Sequence, residues 1–193
     1  MNETEIIDRL KQGNESAFRE LVDSYRQLVV NACFGLLHNI DDAEDVAQEV
    51  FIEVFRSIDK FRADSKISTW LYRIAINRSL NFMRDNKKLR WFRSLNDAVG
   101  SKKEMLNQMV SDHSDTPEFD MEHCQRALLL HEAIDSLPEK QRVAFTLNKY
   151  EDLTYKEISE VMKLSVSSVE SLIHRAKKSL QKKLYHFYKK GCI

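Results

Sequence analysis

The stretch LTYKEISEVMKLSVSSVESLIHRA, residues 153–176, decides the fold of the C-terminal part of the chain. It opens with a capping box, since the Thr154 hydroxyl can accept from the amide three residues on and the Glu157 carboxylate can reach back. Apolar residues then recur at helical spacing on both sides of a short turn, and Ser165 can cap the second helix. This pattern predicts a helix-turn-helix, whose longer basic helix enters a DNA major groove. A helical hairpin with a solvated basic face is the alternative.

Charge is unevenly distributed along the 193 residues, although 30 basic and 30 acidic side chains cancel. The net charge is −8 over residues 1–55, +8 over 56–93, −6 over 94–136 and +6 over 137–193. Basic charge gathered on particular elements is typical of nucleic-acid binding even in a neutral chain. The two basic blocks therefore predict two surfaces that face nucleic acid. Ordinary fluctuation of charge along a helical protein is the alternative.

Residues that interrupt helices are scarce, with four glycines and two prolines in the whole chain. This predicts an all-α fold and argues against a β-sandwich or barrel. The sequence has no glycine-rich phosphate loop, no H-E-x-x-H metal motif and no C-x-x-C pair, so we expect no enzyme of those classes, no metal and no cofactor. No apolar run reaches the roughly 20 residues of a membrane-spanning helix, and residues 1–10 lack the plan of a signal peptide. We therefore expect a cytoplasmic chain with no membrane insertion.

Helical periodicity also organises the rest of the chain. Residues 17–29 form one amphipathic pattern. A second begins at the acidic run 41–44, which we expect to supply the helix cap and first-turn acids, and its apolar stripe is Val46, Val50, Phe51, Val54 and Phe55. A third helix begins near Ile67 and has Leu71, Ile74, Ala75 and Phe82 on its inward side. The periodicity is lost over 94–121, where Ser, Asp and Asn collect. The pattern predicts two helical domains, 1–93 and 122–193, joined by a flexible acidic linker, 94–121.

Several stretches resemble the extracytoplasmic-function (ECF) sigma factors of the sigma-70 family. Residues 137–142, 153–158 and 165–176 are similar to region 4 of that family, residues 42–51 to region 2.2, and residues 61–78 to regions 2.3 and 2.4. The resemblance implies a region 2 bundle and a region 4 helix-turn-helix. It also implies a non-enzymatic subunit that binds core RNA polymerase and directs transcription initiation at −35 and −10 promoter elements, trapping the melted −10 strand.

Region 4 of the family reads the −35 element, so the resemblance places −35 DNA-binding residues on the helix-turn-helix. Small side chains near the start of its second helix allow close approach to bases, and Arg175 can make a bidentate contact to guanine. Glu170 stands where the family usually has a basic residue; it would repel phosphate but could accept from a cytosine amino group. The implied set is Tyr155, Lys156, Ser168, Glu170, Ser171, His174, Arg175 and Lys178.

Region 2.2 of the family docks on the β′ clamp helices of the polymerase. The core-polymerase-binding residues implied here are Asp45, Gln48, Glu49 and Ile52, which point away from the apolar stripe of their helix. An acidic first turn that stabilises its own helix dipole is the alternative explanation.

Regions 2.3 and 2.4 of the family capture unstacked bases of the −10 element. Cations that follow phosphates and an aromatic ring that stacks on a base are typical of single-strand binding. Ordinary core packing is the alternative for Trp70. The implied −10 DNA-binding set is Arg62, Asp64, Ser65, Lys66, Trp70, Arg73, Asn77, Asn81 and Arg84.

The resemblance implies four kinds of partner or contact. These are the β′ clamp helices and β flap of core RNA polymerase, promoter DNA, and an anti-sigma factor that forms a heterodimer with an otherwise monomeric chain. The acidic linker would thread toward the polymerase active centre; a solvated tether is the alternative. A stand-alone helix-turn-helix regulator is the other function considered. It would need a dimerisation or effector domain in residues 1–93, which instead carry an acidic helix followed by a basic, aromatic one.

Overall fold

The computed structural model describes residues 3–61, 64–94 and 117–189, and it builds these ranges from helices and short connections. No strand occurs in the described ranges, and the all-α prediction is confirmed. The helices are α1 (Glu3–Lys11), α2 (Glu15–Leu37), α3 (Ile40–Ser57) followed by a 3-10 turn (Ile58–Lys60), α4 (Ile67–Ser94), α5 (Pro117–Asp135), α6 (Glu139–Lys149), α7 (Tyr155–Met162) and α8 (Val166–Lys189).

The chain divides into two structural units, and neither is continuous in sequence. The first unit combines Met1–Asp85 with Thr146–Glu170, and the second combines Asn86–Phe145 with Ser171–Ile193. The domain boundaries expected from the sequence, at 93/94 and 121/122, stay a prediction. Helix α5 begins at Pro117, inside the range expected for the linker, and proline suits a first helical turn. Residues 95–116 lie outside the described residues.

In the first unit, asparagine side chains begin two of the long helices. Asn14 accepts from the Ala17 amide at 3.0 Å at the start of α2, and Asn39 accepts from the Asp42 amide at 2.9 Å at the start of α3. The sequence prediction had given the α3 cap to the acidic run that begins at Asp41, and this was wrong by two residues. Asp41 and Asp42 occupy the first turn instead, where carboxylates interact favourably with the helix dipole.

The core of the first unit is formed by the apolar stripes of its helices. Val46, Val50 and Val54 of α3 are fully buried, as are Leu71 and Ala75 of α4. The expected stripe fails at one position, because Phe55 is 52% exposed. Its ring packs edge-to-face with the ring of Phe18, with 5.1 Å between the ring centroids. Phe82, which the sequence places on the inward side of α4, is only half-buried.

Helix α7 has the capping box that the sequence predicts. The Glu157 amide donates to the Thr154 hydroxyl at 3.3 Å, and the Thr154 amide donates to the Glu157 carboxylate at 3.0 Å. The hydrogen bonds that the Thr154 amide and hydroxyl donate to the Glu157 carboxylate lower the pKa of that carboxyl. The helix ends at Lys163, whose φ of 53° reverses the chain, and Ser165 accepts from the Ser168 amide at 3.2 Å to begin α8. The local helix-turn-helix signature is therefore realised in full.

The second unit has its own apolar core. Ala133, Ile134 and Leu137 pack with Ala176 and Leu180 of α8, all nearly or fully buried. Leu130, Phe145 and Leu184 pack against this cluster from the side. A groove of about 600 Å³ with an apolar lining opens beside them. Within the described residues, no helix is long and apolar enough to cross a membrane.

Candidate nucleic-acid interface

The acidic face of α3 is exposed as the sequence predicts. Asp45, Gln48, Glu49 and Ile52 all point outward, and Ile52 is 50% exposed. Glu49 lies 3.6 Å from the Arg78 guanidinium, which also bonds Glu53, so this carboxylate already has a cationic neighbour on α4. Their exposure leaves all four able to reach a partner, and their role in docking stays a prediction.

Phe55 adds an aromatic side chain to this face that sequence reasoning had missed. It lies three residues after Ile52 and seven after Gln48, so helical spacing places all three on one side of α3. That spacing was the available signal; membership of an apolar stripe had assigned Phe55 to the core instead. The face therefore combines carboxylates with two large exposed apolar groups, Ile52 and Phe55.

The outward face of α4 carries most of the expected −10 residues. Asn77, Asn81 and Arg84 are exposed, with the Arg84 guanidinium 3.3 Å from the Asn81 amide oxygen. In the preceding loop, Asp64 and Lys66 are exposed and Ser65 is half-buried. Arg62 lies outside the described residues.

Trp70 is half-buried against Phe61, with ring centroids 5.1 Å apart and planes tilted by 41°. This contact supports part of the core-packing interpretation, since one side of the indole is covered. The partial exposure keeps the stacking interpretation open. An indole held in one orientation by an aromatic neighbour is a suitable platform for a base.

Arg73 stands on the same face and is already engaged. Its guanidinium donates from Nη2 at 2.7 Å and from Nε at 3.2 Å to the backbone carbonyl of Glu160. That carbonyl belongs to the last turn of α7 and also accepts from the Lys163 amide at 3.4 Å. A cation is favoured there by the helix dipole. Arg73 therefore caps the C-terminal end of α7 in this structure.

Two further contacts join α4, or the residue just before it, to the segment around α7. The Tyr72 hydroxyl donates to the Glu151 carboxylate at 2.9 Å. Lys66 Nζ lies 4.0 Å from the same Glu157 carboxylate that closes the capping box, and because both side chains are well exposed this ion pair contributes little energy. Burial raises the pKa of the Glu151 carboxyl, against the lowering effect of the Tyr72 hydrogen bond. Burial and the Glu151 charge both raise the pKa of the Tyr72 phenol.

Gly35 allows a close approach between α2 and Thr146. The Thr146 hydroxyl donates to the Gly35 carbonyl at 3.3 Å, and a Cβ on Gly35 would lie 2.6 Å from the Thr146 methyl group. No side chain larger than hydrogen fits there without a shift. The sequence signal was a glycine inside an otherwise helical pattern, which often marks close packing.

The −35 candidates lie on the outer faces of α7 and α8. Lys156, Ser168 and Glu170 are exposed, Tyr155 is half-buried, and Ser171, His174, Arg175 and Lys178 are exposed. The buried side of α8 is formed by Val169, Ile173 and Ala176. The predicted division of α8 into an inner and an outer face is confirmed, while the use of each outer residue on DNA stays a prediction.

Metal-ligating and nucleophilic side chains form no candidate site in the described part of the chain. Those residues hold no cluster of three histidine, cysteine, aspartate or glutamate side chains that could bind a metal. Cys33 is fully buried, and burial raises the pKa of its thiol to about 11, so the thiol stays protonated and unreactive at neutral pH.

Comparison with known protein families matches two segments of the chain. Residues 21–89 match the family described as "Sigma-70 region 2", and residues 127–180 match "Sigma-70, region 4". The first covers α3 and most of α2 and α4; the second covers α6, α7 and much of α5 and α8.

Relatives with similar sequences extend over nearly the whole chain. The "ECF RNA polymerase sigma factor SigW" of Bacillus subtilis is 34% identical over 178 residues, 92% of this chain and 94% of the relative. The "RNA polymerase sigma-H factor" of Pseudomonas aeruginosa is 34% identical, covering 93% of this chain and 92% of its own. The "ECF RNA polymerase sigma-E factor" of Escherichia coli is 33% identical, with the same coverage.

Two solved structures share the fold. One is described as CnrH in complex with the cytosolic domain of CnrY, with a TM-score of 0.65, 20% identity, and 95% of this chain and 97% of the other covered. The second is the sigma factor RpoE in complex with the anti-sigma factor NepR from Bartonella quintana, with a TM-score of 0.60, 19% identity, and coverage of 87% and 96%.

Proposed function

The chain belongs to the ECF RNA polymerase sigma factors, and from that premise we propose how its surfaces divide the work of promoter recognition. As a member of this family it is a non-enzymatic transcription initiation factor. The observation that carries the proposal is the pairing of a region 2 match and a region 4 match with exposed candidate surfaces in each. A stand-alone regulator would not need the acidic face of α3.

The −35 element is bound by the outer face of the helix-turn-helix in this proposal. Arg175 supports it best, because a guanidinium on the exposed side of a helix can donate two bonds to one guanine. Ser168 and Ser171 leave room for the helix to approach base edges. Lys178 and Lys182 are exposed and suit phosphates, which fix position without reading sequence.

The −10 element is bound by the outward face of α4 and the loop before it. Trp70 offers the stacking surface, while Arg73 and Arg84 supply positive charge at helical spacing. Extruding a base from a duplex costs a few kcal/mol, so a surface that receives unstacked bases stabilises the melted promoter.

Core RNA polymerase binds the acidic face of α3 through Asp45, Gln48, Glu49 and Ile52, with Phe55 as an additional apolar contact. Carboxylates at the rim would steer a basic partner surface, and the exposed apolar side chains would supply buried area. A second polymerase contact, with the β flap, is proposed for the second unit, whose apolar groove is lined by Leu130, Phe145 and Leu184.

Regulation by an anti-sigma factor is proposed from the fold relatives. RpoE of Bartonella quintana was solved with the anti-sigma factor NepR, and CnrH with the cytosolic domain of CnrY. We expect a similar partner here to form a heterodimer with an otherwise monomeric chain, and we place its action in the cytoplasm, where polymerase and promoters meet.

The direct test is reconstitution of initiation. The chain would be added to core polymerase with bacterial genomic DNA, and transcription start sites would be mapped genome-wide. We expect a discrete set of starts that share two upstream elements. Absence of any start that depends on the chain would refute the proposal.

The docking face is tested by charge reversal. Asp45→Lys should weaken assembly with core polymerase in a pull-down, because it puts a cation where a basic partner surface would lie. Asp8→Lys is the matched control, since Asp8 is also an exposed acid and lies on a different helix, α1. Equal assembly of the two variants would reject the assigned face.

A further inference from the structure

Three acidic side chains stand along α3 at intervals of four residues and are here called the acidic row: Asp45, Glu49 and Glu53. Residues four apart are neighbours on a helix surface, so each carboxylate of the row has a like charge one turn away. Like charges at this spacing repel each other and destabilise the helix. The row by itself therefore does not hold its carboxylates in one orientation.

Arg78 of α4 contacts the last two carboxylates of the acidic row. Its Nε atom donates to Oε2 of Glu53, and its Nη1 atom lies 3.6 Å from Oε2 of Glu49. A guanidinium is planar and presents its donors in a rigid fork, whereas a lysine ammonium is a point charge on a flexible stem. Arg78 therefore fixes the separation and the direction of the two carboxylates together.

This contact leaves the two glutamates in different states. The Glu53 side chain is 38% exposed and receives the closer bond, while the Glu49 side chain is 61% exposed and meets Arg78 only through Oε2. One guanidinium against two carboxylates leaves a net charge of −1. Glu53 is therefore the carboxylate that Arg78 neutralises, and Glu49 keeps its Oε1 atom for a further donor.

Fold stability does not account for this arrangement. The side chains of Arg78, Glu49 and Glu53 are all more than one third exposed, and ion pairs of that kind contribute little to the free energy of unfolding. Orientation is a different matter, because a side chain that is ordered beforehand loses less conformational freedom when a partner binds it. The contact therefore has its consequence at the moment when Glu49 meets another molecule.

We propose that Arg78 is a positioning residue for polymerase docking, which holds Glu49 in the orientation that a basic partner surface binds and neutralises Glu53 beside it. The inference rests on the proposed docking role of the acidic face of α3. Arg78 follows Asn77 and precedes Asn81, two of the −10 candidates, but its guanidinium bonds α3. Arg78 is therefore assigned to docking and not to DNA.

The first experiment measures the kinetics of the full chain with core polymerase. Arg78→Gln should dissociate about two- to tenfold faster than wild type, because the interface must then order Glu49 itself. Its association should be as fast as wild type or faster, since the face becomes more negative and attracts a basic partner more strongly. Arg78→Lys keeps the charge without the fork, so it should associate like wild type and still dissociate faster.

Arg9→Gln is the matched control for this measurement. The Arg9 side chain is 36% exposed against 39% for Arg78, and it lies 3.4 Å from Glu20, so it also joins two helices of the first unit through an ion pair. The substitution removes the same charge, and its dissociation should match wild type. Equal dissociation of Arg78→Gln and wild type would overturn the proposal.

The second experiment asks whether Arg78 acts through Glu49. Glu49→Gln should itself weaken assembly, and the addition of Arg78→Gln should then change dissociation by less than about twofold. The full effect of Arg78→Gln in both backgrounds would overturn positioning. Wild-type kinetics for Glu49→Gln would instead reject the docking role of Glu49, and positioning with it. A loss in Glu49→Gln without any loss in Arg78→Gln rejects positioning alone.

The third experiment needs no polymerase. In the full free chain with isotope-labelled glutamate, the side-chain NMR couplings of Glu49 should report one dominant rotamer, and Arg78→Gln should average them. Averaged couplings for Glu49 in the wild-type chain would overturn the proposal.

The fourth experiment separates docking from DNA binding. Once assembly is saturated with excess core polymerase, Arg78→Gln should open promoters as wild type does. A defect in opening that persists at saturation would assign Arg78 to DNA and overturn the proposal.

Discussion

The hydrogen bond from Tyr72 to Glu151 can be tested alone, because one substitution removes its donor and leaves the Glu151 carboxylate in place. Tyr72 is 6% exposed, and its hydroxyl lies 2.9 Å from Oε2 of a carboxylate whose other oxygen has no partner in the described residues. Tyr72→Phe removes the donor without changing the ring. A bond to a charged group contributes about 1.5–3 kcal/mol, so we expect a loss of that size in the free energy of unfolding.

The same contact makes the free energy of unfolding depend on pH. Burial raises the pKa of Glu151 above its ordinary value of 4.5, so the folded chain holds this proton more tightly than the unfolded chain. The contribution of Glu151 to the free energy of unfolding is therefore largest below pH 4.5. It declines as pH rises through the raised pKa of the folded state. Tyr72→Phe should raise the pKa further, since it removes the hydrogen bond that lowers it. Glu151→Gln should remove this contribution.

The assay is urea unfolding of wild type, Tyr72→Phe, Glu151→Gln and the double variant at two pH values. A Trp91→Phe background leaves Trp70 as the single tryptophan, so its fluorescence reports on the first unit. Tyr150→Phe serves as the control, because Tyr150 is 44% exposed in the same region. A coupling energy between Tyr72 and Glu151 below about 0.5 kcal/mol would refute the reasoning, since contacting residues usually couple more strongly.

Three further substitutions test other parts of the structure. Arg175→Ala should weaken promoter binding by about 1–3 kcal/mol, measured as competition between promoter and scrambled DNA, if the side chain reads a base; an equal loss on both would reduce it to a phosphate contact. Trp70→Ala should impair promoter opening more than initial binding. Permanganate reactivity of melted thymines equal to wild type would count against this role. Thr154→Ala should lower the stability of the first unit by about 1 kcal/mol in thermal unfolding, because the α7 amides lose their cap; an unchanged melting temperature would contradict the capping argument.

Local patterns predicted the helices well, because helix boundaries depend on nearby residues. The capping box at Thr154, the serine cap at Ser165 and the buried stripe of α3 follow from spacing within about seven residues. The misplaced α3 cap shows the limit of this reasoning. Asn39 and Asp41 are both good capping types, and the choice between them depends on backbone conformation that sequence does not reveal.

Contacts between distant segments were not predictable in this way. Arg73 and the Glu160 carbonyl are separated by 87 residues, and no local pattern links a guanidinium to a backbone oxygen so far along the chain. The predicted burial of Phe55 was wrong for a related reason. An apolar residue beside a buried stripe is itself buried only if another element covers it. Most candidate DNA residues lie on the outer faces that the sequence predicts, but the contacts of Lys66 and Arg73 with α7 could not be inferred from periodicity.

Gly35 has a consequence for anyone who engineers this chain. It occupies a 23-residue helix, where replacement by alanine ordinarily adds about 0.5–1 kcal/mol of stability. A design that ranks residues by helix propensity alone would therefore choose alanine at this position. The same methyl group would lie 2.6 Å from the methyl group of the buried Thr146, so the gain in helix propensity would come with a steric clash. Helix propensity and close packing therefore favour different residues at position 35, and only glycine satisfies the packing.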